Sequence, residues 1–478
     1  MPYDYCSMIL REGAHIHLIA ACGTAMGSLA AMLCELGYRV TGSDSQVYPP
    51  MSTFLAQAGI HLFTGFDSTH LDEQPDLVIV GNAVSRGNVE LEATLERRIP
   101  YSCLPEVLRD LFIRDRQSVV ITGTHGKTTT TAMTAHLFTS GDLDPSFLVA
   151  GLVKNFDRPY RLGHGKHFII EGDEYDSAYF AKWAKFFFYL PEVLIINNIE
   201  FDHADIYKDL SEIEKAFRQV VNMVPCSGLI LANSADEVVT NLLPLSLAPV
   251  QTFGLEQHSF WRADIISSTP AGTDFTLHCQ DRPLGDFHLS MHGEYNVRNA
   301  TASLAAGYWA GLSVDTMRTS LAQFKGVHRR QELIGQVDNI LLIDDFAHHP
   351  TAVGKTLQAI AQTYPERRLW AIFEPASATN ARALFEEHYL AAFAPASYIV
   401  IAAVPHPERA RDDAPFSPQR LIERLRVQGK HAWYIATGDL IVTHLMDRVQ
   451  SGDLVLFMSN GGFAGIQQKL LNTLSKNT

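Results

Sequence analysis

The run Gly123-Thr-His-Gly-Lys-Thr-Thr129 brings together residue types that hold phosphate oxygens. Glycines let bare backbone N–H groups approach an anion, the Lys127 ammonium adds a point charge, and the Thr128 hydroxyl can ligate Mg²⁺. Gly123, Thr124, His125, Gly126, Lys127, Thr128 and Thr129 are therefore the candidate ATP contacts. The spacing departs from G-x-x-x-x-G-K-[ST], because Ile121 stands where its first glycine belongs. Two acidic clusters follow, Glu171-Gly-Asp-Glu-Tyr-Asp176 and Glu200-Phe-Asp-His-Ala-Asp205. Nucleotide-bound Mg²⁺ takes hard oxygen ligands, so Glu171 is expected to join Thr128 on the metal. His203, between Asp202 and Asp205, is a candidate second metal contact or else a structural histidine.

These side chains need strands and helices to aim them. Val119, Val120 and Ile121 read as a buried strand ahead of the loop, and Lys127 opens a helix through Leu137. An earlier strand, His15 to Ala20, leads into Ala-Cys-Gly-Thr-Ala-Met-Gly27 and a helix reaching Gly37. A second strand, Tyr38 to Asp44, ends in an acid at the distance typical of dinucleotide-binding folds. Ala21 and Met26 spoil the glycine fingerprint, which leaves either a pyrophosphate of some kind on this helix N-terminus or a plain α/β turn. Gly23, Asp44 and Asn82, with Ser85 beyond the strand from Asp76, are expected to line one crevice.

At 478 residues the chain suggests about three domains. The boundaries read as 1–117, 118–326 and 327–478, all α/β. A net charge of −14 without an offsetting basic run excludes a nucleic-acid surface. The scattered cysteines form no C-x-x-C pair, and no apolar run reaches membrane-spanning length, so a reduced, cytoplasmic setting is expected. Residues 228–290 read as alternating short strands and turns. Asn296 and Asn299, three apart at a helix start, share one face. Val327 to Ile334 reads as a link. The strands Ile340–Ile343, Leu369–Phe373, Tyr398–Ile401 and Leu454–Phe457 then predict a parallel sheet, followed by a fraying terminal helix.

Gly-Thr-His-Gly-Lys-Thr-Thr129, Glu171 with Asp-Glu-Tyr-Asp176, Asp202-His203, Asn296-x-x-Asn299, Arg330 and Asp345-x-x-His-His-Pro350 resemble, in order, the signature of the Mur ligases. These are ATP-dependent ligases of bacterial cell-wall precursor synthesis, and the resemblance covers nearly the whole chain. It implies a Rossmann-like N-terminal domain for a UDP-sugar, a central P-loop ATPase-like domain, and a C-terminal Rossmann-like domain for the incoming amine. The implied reaction joins the lactyl carboxylate of UDP-N-acetylmuramate to an amine through an acyl phosphate.

By that resemblance Lys127 meets the β/γ-phosphates, Thr128 and Glu171 one Mg²⁺, and His203 a second. Asn296 and Asn299 take the adenine end, and Arg330 and Asp345 reach ATP on domain closure. Cys22, Gly23, Thr24, Ala25, Met26 and Gly27, with Ser43, Asp44, Asn82 and Ser85, receive the UDP-sugar. The stretches Gly42–Thr53, Glu200–Ile206 and Met458–Phe463 are similar to the branch that accepts recycled L-Ala-γ-D-Glu-meso-diaminopimelate, rather than the branch that adds L-alanine. Ala376 departs from it, standing where that branch is expected to carry arginine. His348, Ser377, Asn380, Ser459 and Asn460 are peptide-binding candidates by position. The rival readings are the L-alanine-adding ligase, a folylpolyglutamate-type ligase and a non-catalytic UDP-sugar-binding protein. No nucleic-acid or membrane partner is expected, and the oligomeric state stays open between monomer and weak dimer.

Lys127→Ala is expected to abolish ATP turnover while UDP-sugar binding, measured by calorimetry, persists. Loss of both together would mean that the first domain does not bind UDP independently.

Overall fold

The computed structural model describes residues 10–48, 51–202, 206–377, 382–410 and 414–477. They group into two compact units. One comprises Met1–Glu200, Ser211–Trp261 and Ala302–Ser320; the other comprises Phe201–Leu210, Arg262–Thr301 and Leu321–Thr478.

The first unit holds two sheets. Strands β1 (His15–Ile19), β2 (Arg39–Asp44), β3 (His61–Thr64), β4 (Leu77–Val80) and β5 (Tyr101–Cys103) lie in the order β3-β2-β1-β4-β5, all parallel. This is a doubly wound arrangement of five strands, and its central strands are fully buried, as strands covered on both faces must be. β1 stops at Ile19 because Ala20 turns to φ 66°.

The second sheet of this unit contains β6 (Gln117–Thr122), β7 (Ser146–Leu148), β8 (Tyr160–Arg161), β9 (His167–Gly172), β10 (Pro191–Ile196), β11 (Leu229–Asn233) and β12 (Val250–Gly254). Their order is β12-β11-β10-β6-β9-β7-β8, parallel except for β7 against β8. The register sets Ile121 of β6 opposite Glu171 of β9 and Ile195 of β10, so these carboxyl ends come out level. After β6 comes the helix Lys127–Ser140, which is buried almost throughout despite its threonines. Some of the buried hydroxyls find partners: Thr134 Oγ1 donates to the Thr130 carbonyl at 2.8 Å and Thr128 Oγ1 to Glu171 at 2.9 Å.

The second unit holds strands from β13 (Trp261–Thr269), β14 (Gly272–Cys279) and β15 (Arg282–Leu289); β14 and β15 pair antiparallel, with the rings of Phe275 and Phe287 stacked across the pair. Its main sheet comprises β16 (Glu332–Val337), β17 (Ile340–Asp345), β18 (Leu369–Phe373), β19 (Tyr398–Ile401), β20 (His431–Tyr434) and β21 (Leu454–Met458). The order is β16-β17-β21-β18-β19-β20, parallel except for β16. Alternate residues serve two cores: Ala371, Phe373 and Ile399 face one layer of helices, while Trp370, Ile372 and Val400 face the other.

Several expectations are corrected here. The supposed link after Val327 contains β16, whose pattern Gly335 interrupts. The stretch 228–290 contains a helix, Glu237–Leu242, capped by Asp236 accepting from the Val239 N–H at 3.0 Å. The terminal helix does not fray: Ile466, Leu470 and Leu474, each four apart, are buried in the second core.

Asp453 ties the amino ends of β18 and β21. It is buried and accepts from Arg368 Nε and Nη2 at 2.7 Å each, Trp370 Nε1 at 2.9 Å and the Gln450 N–H at 2.9 Å. Asp453→Ala strands the buried indole N–H, and is expected to destabilise the sheet by about 2–4 kcal/mol. Urea unfolding followed by tryptophan fluorescence would show an earlier transition; an unchanged midpoint would refute the assignment.

Candidate active site

The loop between β6 and the helix Lys127–Ser140 is shaped by two glycines in left-handed conformations, Gly123 at φ 125° and Gly126 at φ 83°. A Cβ on Gly123 would sit 2.9 Å from both the backbone N and O of Asn198, which leaves no room for any other residue. Asn198, just past β10, holds the loop at three points. Its carbonyl accepts from the Thr124 N–H at 3.0 Å, its Oδ1 from the His125 N–H at 2.8 Å, and its Nδ2 donates to the His125 carbonyl at 3.1 Å. The Glu200 N–H donates to Thr124 Oγ1 at 2.9 Å.

Lys127 Nζ donates to the Gly123 carbonyl at 2.6 Å and to Glu174 Oε2 at 2.9 Å, with Asp173 at 3.8 Å. Burial alone would lower the lysine's pKa, but Glu174 and Asp173 outweigh it and raise it, so the ammonium stays charged. Burial likewise works to raise the pKa of Asp173, and Lys185 with Lys127 reverses it to a net lowering. Lys185 Nζ donates to Asp173 Oδ2 and to Tyr175 Oη at 3.0 Å each, and lies 4.1 Å from the Tyr175 ring centroid.

Glu171 behaves differently. It is buried, and its pKa is raised first by that burial and then by Asp173; the Ala150 N–H and the Thr128 hydroxyl only partly offset this. Thr128 Oγ1 donates to Glu171 Oε2 at 2.9 Å, and the Ala150 N–H to Oε1 at 2.6 Å. Two hard oxygen donors this close, one a buried carboxylate without a formal cation on it, fit a Mg²⁺ site. Thr128 and Glu171 are the residues that would hold the ion.

In the other sheet of the same unit, Cys22, Gly23, Thr24 and Ala25 form the accessible entry to the helix Thr24–Glu35, with Met26 and Gly27 buried behind them. Asp44 does not simply face outward: its Oδ2 accepts from the Cys22 N–H at 2.9 Å and braces the turn. Asn82 and Ser85 are exposed beyond β4. Ser43 is a correction, since its side chain is fully buried and donates to Glu90 instead of reaching a ligand.

In the second unit, Asp345 at the end of β17 is buried; its oxygens accept from the Gln331 and Ala347 N–H groups at 2.7 Å each. Burial raises its pKa despite the counter-effect of Arg330. The Arg330 guanidinium lies 4.8 Å from the Phe346 ring centroid, between Arg329 at φ 59° and Gln331 at φ 49°. Left-handed backbone on both sides of an arginine is strain that a site retains. Asn296 and Asn299 share a face, as Asn299 Nδ2 donates to Asn296 Oδ1 at 3.3 Å, but both are buried. Of the peptide candidates, His348 and Ser377 are half-buried, Asn460 lines a cavity, and Ser459 is fully buried, donating to Glu374 Oε2 at 2.6 Å. His203 and Asn380 lie outside the described residues. Sequence reasoning named Glu174 only within its acidic cluster and passed over Asn198 and Glu374. All three sit just past strand ends, the position that had singled out their neighbours.

Family models cover most of the chain: Mur ligase family, catalytic domain, over residues 15–116; Mur ligase middle domain over 121–307; and Mur ligase, glutamate ligase domain, over 329–461. A UDP-N-acetylmuramate–L-alanyl-γ-D-glutamyl-meso-2,6-diaminoheptandioate ligase of Escherichia coli is 37% identical over 96% of this chain and 98% of its own. A UDP-N-acetylmuramate–L-alanine ligase of Alkaliphilus metalliredigens is 32% identical over 96% and 97%. Among solved structures, a murein peptide ligase from Psychrobacter arcticus matches with TM-score 0.73 at 35% identity, over 97% of this chain and 99% of that one.

The raised pKa of Glu171 has a sign that can be measured. Folding favours its protonated form, so its contribution is full below the unfolded value near 4.5 and is lost as pH rises through the raised folded value. Above that raised value the bare carboxylate is held at a cost that a cation relieves. Glu171→Gln is expected to raise the melting temperature of the metal-free protein at pH 7.5 by about 2–4 °C. It should also remove any further stabilisation by MgCl₂. A lowered melting temperature in that variant would contradict the assignment.

Proposed function

Because the chain belongs to the Mur ligase family, we propose that it joins the lactyl carboxylate of UDP-N-acetylmuramate to the amine of L-Ala-γ-D-Glu-meso-diaminopimelate at the expense of ATP, in the recycling of cell-wall peptide into peptidoglycan precursors. The observation that carries this reading is full-length identity of 36–37% to ligases of that name, on a chain whose phosphate loop is intact. Residues 1–117, 118–326 and 327–478 serve as the UDP-sugar, ATP and peptide domains. The setting is cytoplasmic; among the described residues no helix is long and apolar enough to cross a membrane.

Transfer of the γ-phosphoryl group to the carboxylate and displacement of phosphate by the amine are largely tasks of positioning and charge stabilisation. Lys127 and the N–H groups of Gly126 to Thr129 hold the phosphates, and Arg330 and Asp345 are assigned to ATP with Asn296 and Asn299. Glu171 and Thr128 would hold one Mg²⁺, which would neutralise the transferring charge, and His203 is assigned by the resemblance to a second. Gly23 and its neighbours, braced by Asp44, take the pyrophosphate of the UDP-sugar.

A second reading is favoured by the L-alanine ligases at 31–33% identity and by Ala376. Phosphate release from ATP, with Mg²⁺ and UDP-N-acetylmuramate, separates the two. The tripeptide is expected to exceed L-alanine in kcat/KM by at least about 100-fold. The reverse preference would move the protein to the alanine-adding branch, and silence with both to a non-catalytic binding role.

A further inference from the structure

A cavity of about 400 Å³ in the second unit is lined by Glu374 and Ala376 after β18, Pro405 and His406 after β19, and the turn 460–464 after β21. β21, β18 and β19 are parallel neighbours, so the cavity lies at their shared carboxyl edge, where open α/β sheets take ligands.

Its walls divide by chemistry. Ala376, Pro405, Phe463 and Ala464 make an apolar stretch, and the polar side chains that close it are Glu374, Asn460 and His406. Glu374 offers a carboxylate, and the buried side-chain oxygen of Asn460 has no hydrogen-bond partner. Glu408, outside the lining, lies 3.1 Å from His406 Nδ1. No lysine or arginine is among the described lining residues. Arg329, the guanidinium behind the β21 turn, is engaged with the Ser459 and Gly461 carbonyls at 2.6 Å each and with Asp344 at 3.2 Å.

Glu374 is held in a fixed orientation. Ser459 Oγ donates to it at 2.6 Å, and the Gly461 N–H in turn donates to Ser459 Oγ at 2.8 Å. Its burial raises its pKa, so a cation beside it would be stabilising. Phe463 and Ala464 adopt φ 46° and 48°, left-handed values that side chains rarely take, and so give the turn a shape an ordinary loop would not have.

An apolar wall ending in fixed acceptors fits a methylene chain that ends in an ammonium. We propose that this cavity selects the incoming peptide by the protonated side-chain amine of its third residue, with Glu374 as the specificity-determining acceptor. The inference rests on the ligase reading above and narrows it. The distal carboxylate of diaminopimelate meets no lysine or arginine among the described lining residues, only the His406 ring, so a peptide ending in lysine is also a substrate.

The test uses the full-length protein with ATP, Mg²⁺, UDP-N-acetylmuramate and L-Ala-γ-D-Glu-X, where X is meso-diaminopimelate, L-lysine or Nε-acetyl-L-lysine. The first two are expected to agree in kcat/KM within about tenfold, and the acetylated peptide to fall at least about 100-fold below them. Glu374→Gln, which still accepts from Ser459, should raise the KM for the lysine peptide about tenfold while leaving the KM of ATP and of the UDP-sugar alone. A merely structural Glu374 would move all of them together. Ala376→Arg should shift preference toward the diaminopimelate peptide by about tenfold. A lysine peptide more than about 100-fold worse than the diaminopimelate peptide, or an acetylated peptide as good as the lysine one, overturns the inference while the ligase reading stands. Turnover with L-alanine alone overturns the ligase reading, and the inference falls with it.

Discussion

The phosphate loop depends on how closely β6 is allowed to approach β10. Only a residue without a side chain fits between the end of β6 and the backbone of Asn198, and Gly123 supplies it. Once the strands are that close, Asn198 and Glu200 take the loop's own hydrogen-bonding groups as partners. The N–H groups around Gly126 are thus set in position by the fold before any nucleotide arrives, so that binding does not have to order them. The missing first glycine at Ile121 is consistent with this. Ile121 is still inside the sheet, paired with Glu171 and Ile195, and the turn begins two residues later.

Around that loop, charge is arranged as an alternating chain. Lys127 meets Glu174 and Asp173, Asp173 meets Lys185, and Lys185 rests on the Tyr175 ring. A buried cation needs such partners, because one left alone in this environment would be neutralised. Phosphate oxygens that reach Lys127 therefore compete with carboxylates already in place. A net charge of −14 does not bar anion binding at a loop where Lys127 and a helix N-terminus supply local positive charge.

What could be read in advance follows from the range of each signal. The strand–loop–helix of Val119 to Leu137 is contiguous, and its β-branched run and glycines announce it. The same holds for the central strands of each sheet. β16 and β20 were missed because they are short edge strands with weak alternation, one interrupted by Gly335 and the other beginning with His431. The burial of Ser43 beneath Glu90, the bracing of the Cys22 turn by Asp44, and the locking of Glu374 by Ser459 join residues far apart in the chain, and no local pattern encodes them. The terminal helix was misjudged for a similar reason: its apolar spacing was present, but the surface it covers is made by other strands.

β21 lies between β17 and β18, although residues 374–453 separate it from β18 in sequence. On a ribosome adding residues from the N-terminus at roughly 5–20 per second, β17 and β18 are made well before the strand that joins them. Until Leu454–Met458 emerges, their inner edges and the apolar faces of Leu342 and Trp370 have no partner. The nucleotide loop, complete once β10 and Asn198 are out, faces no such delay. This chain therefore exposes its most aggregation-prone surface late in synthesis, and a pause or frameshift between 400 and 450 would leave a protein with an intact phosphate loop and an open, adhesive sheet.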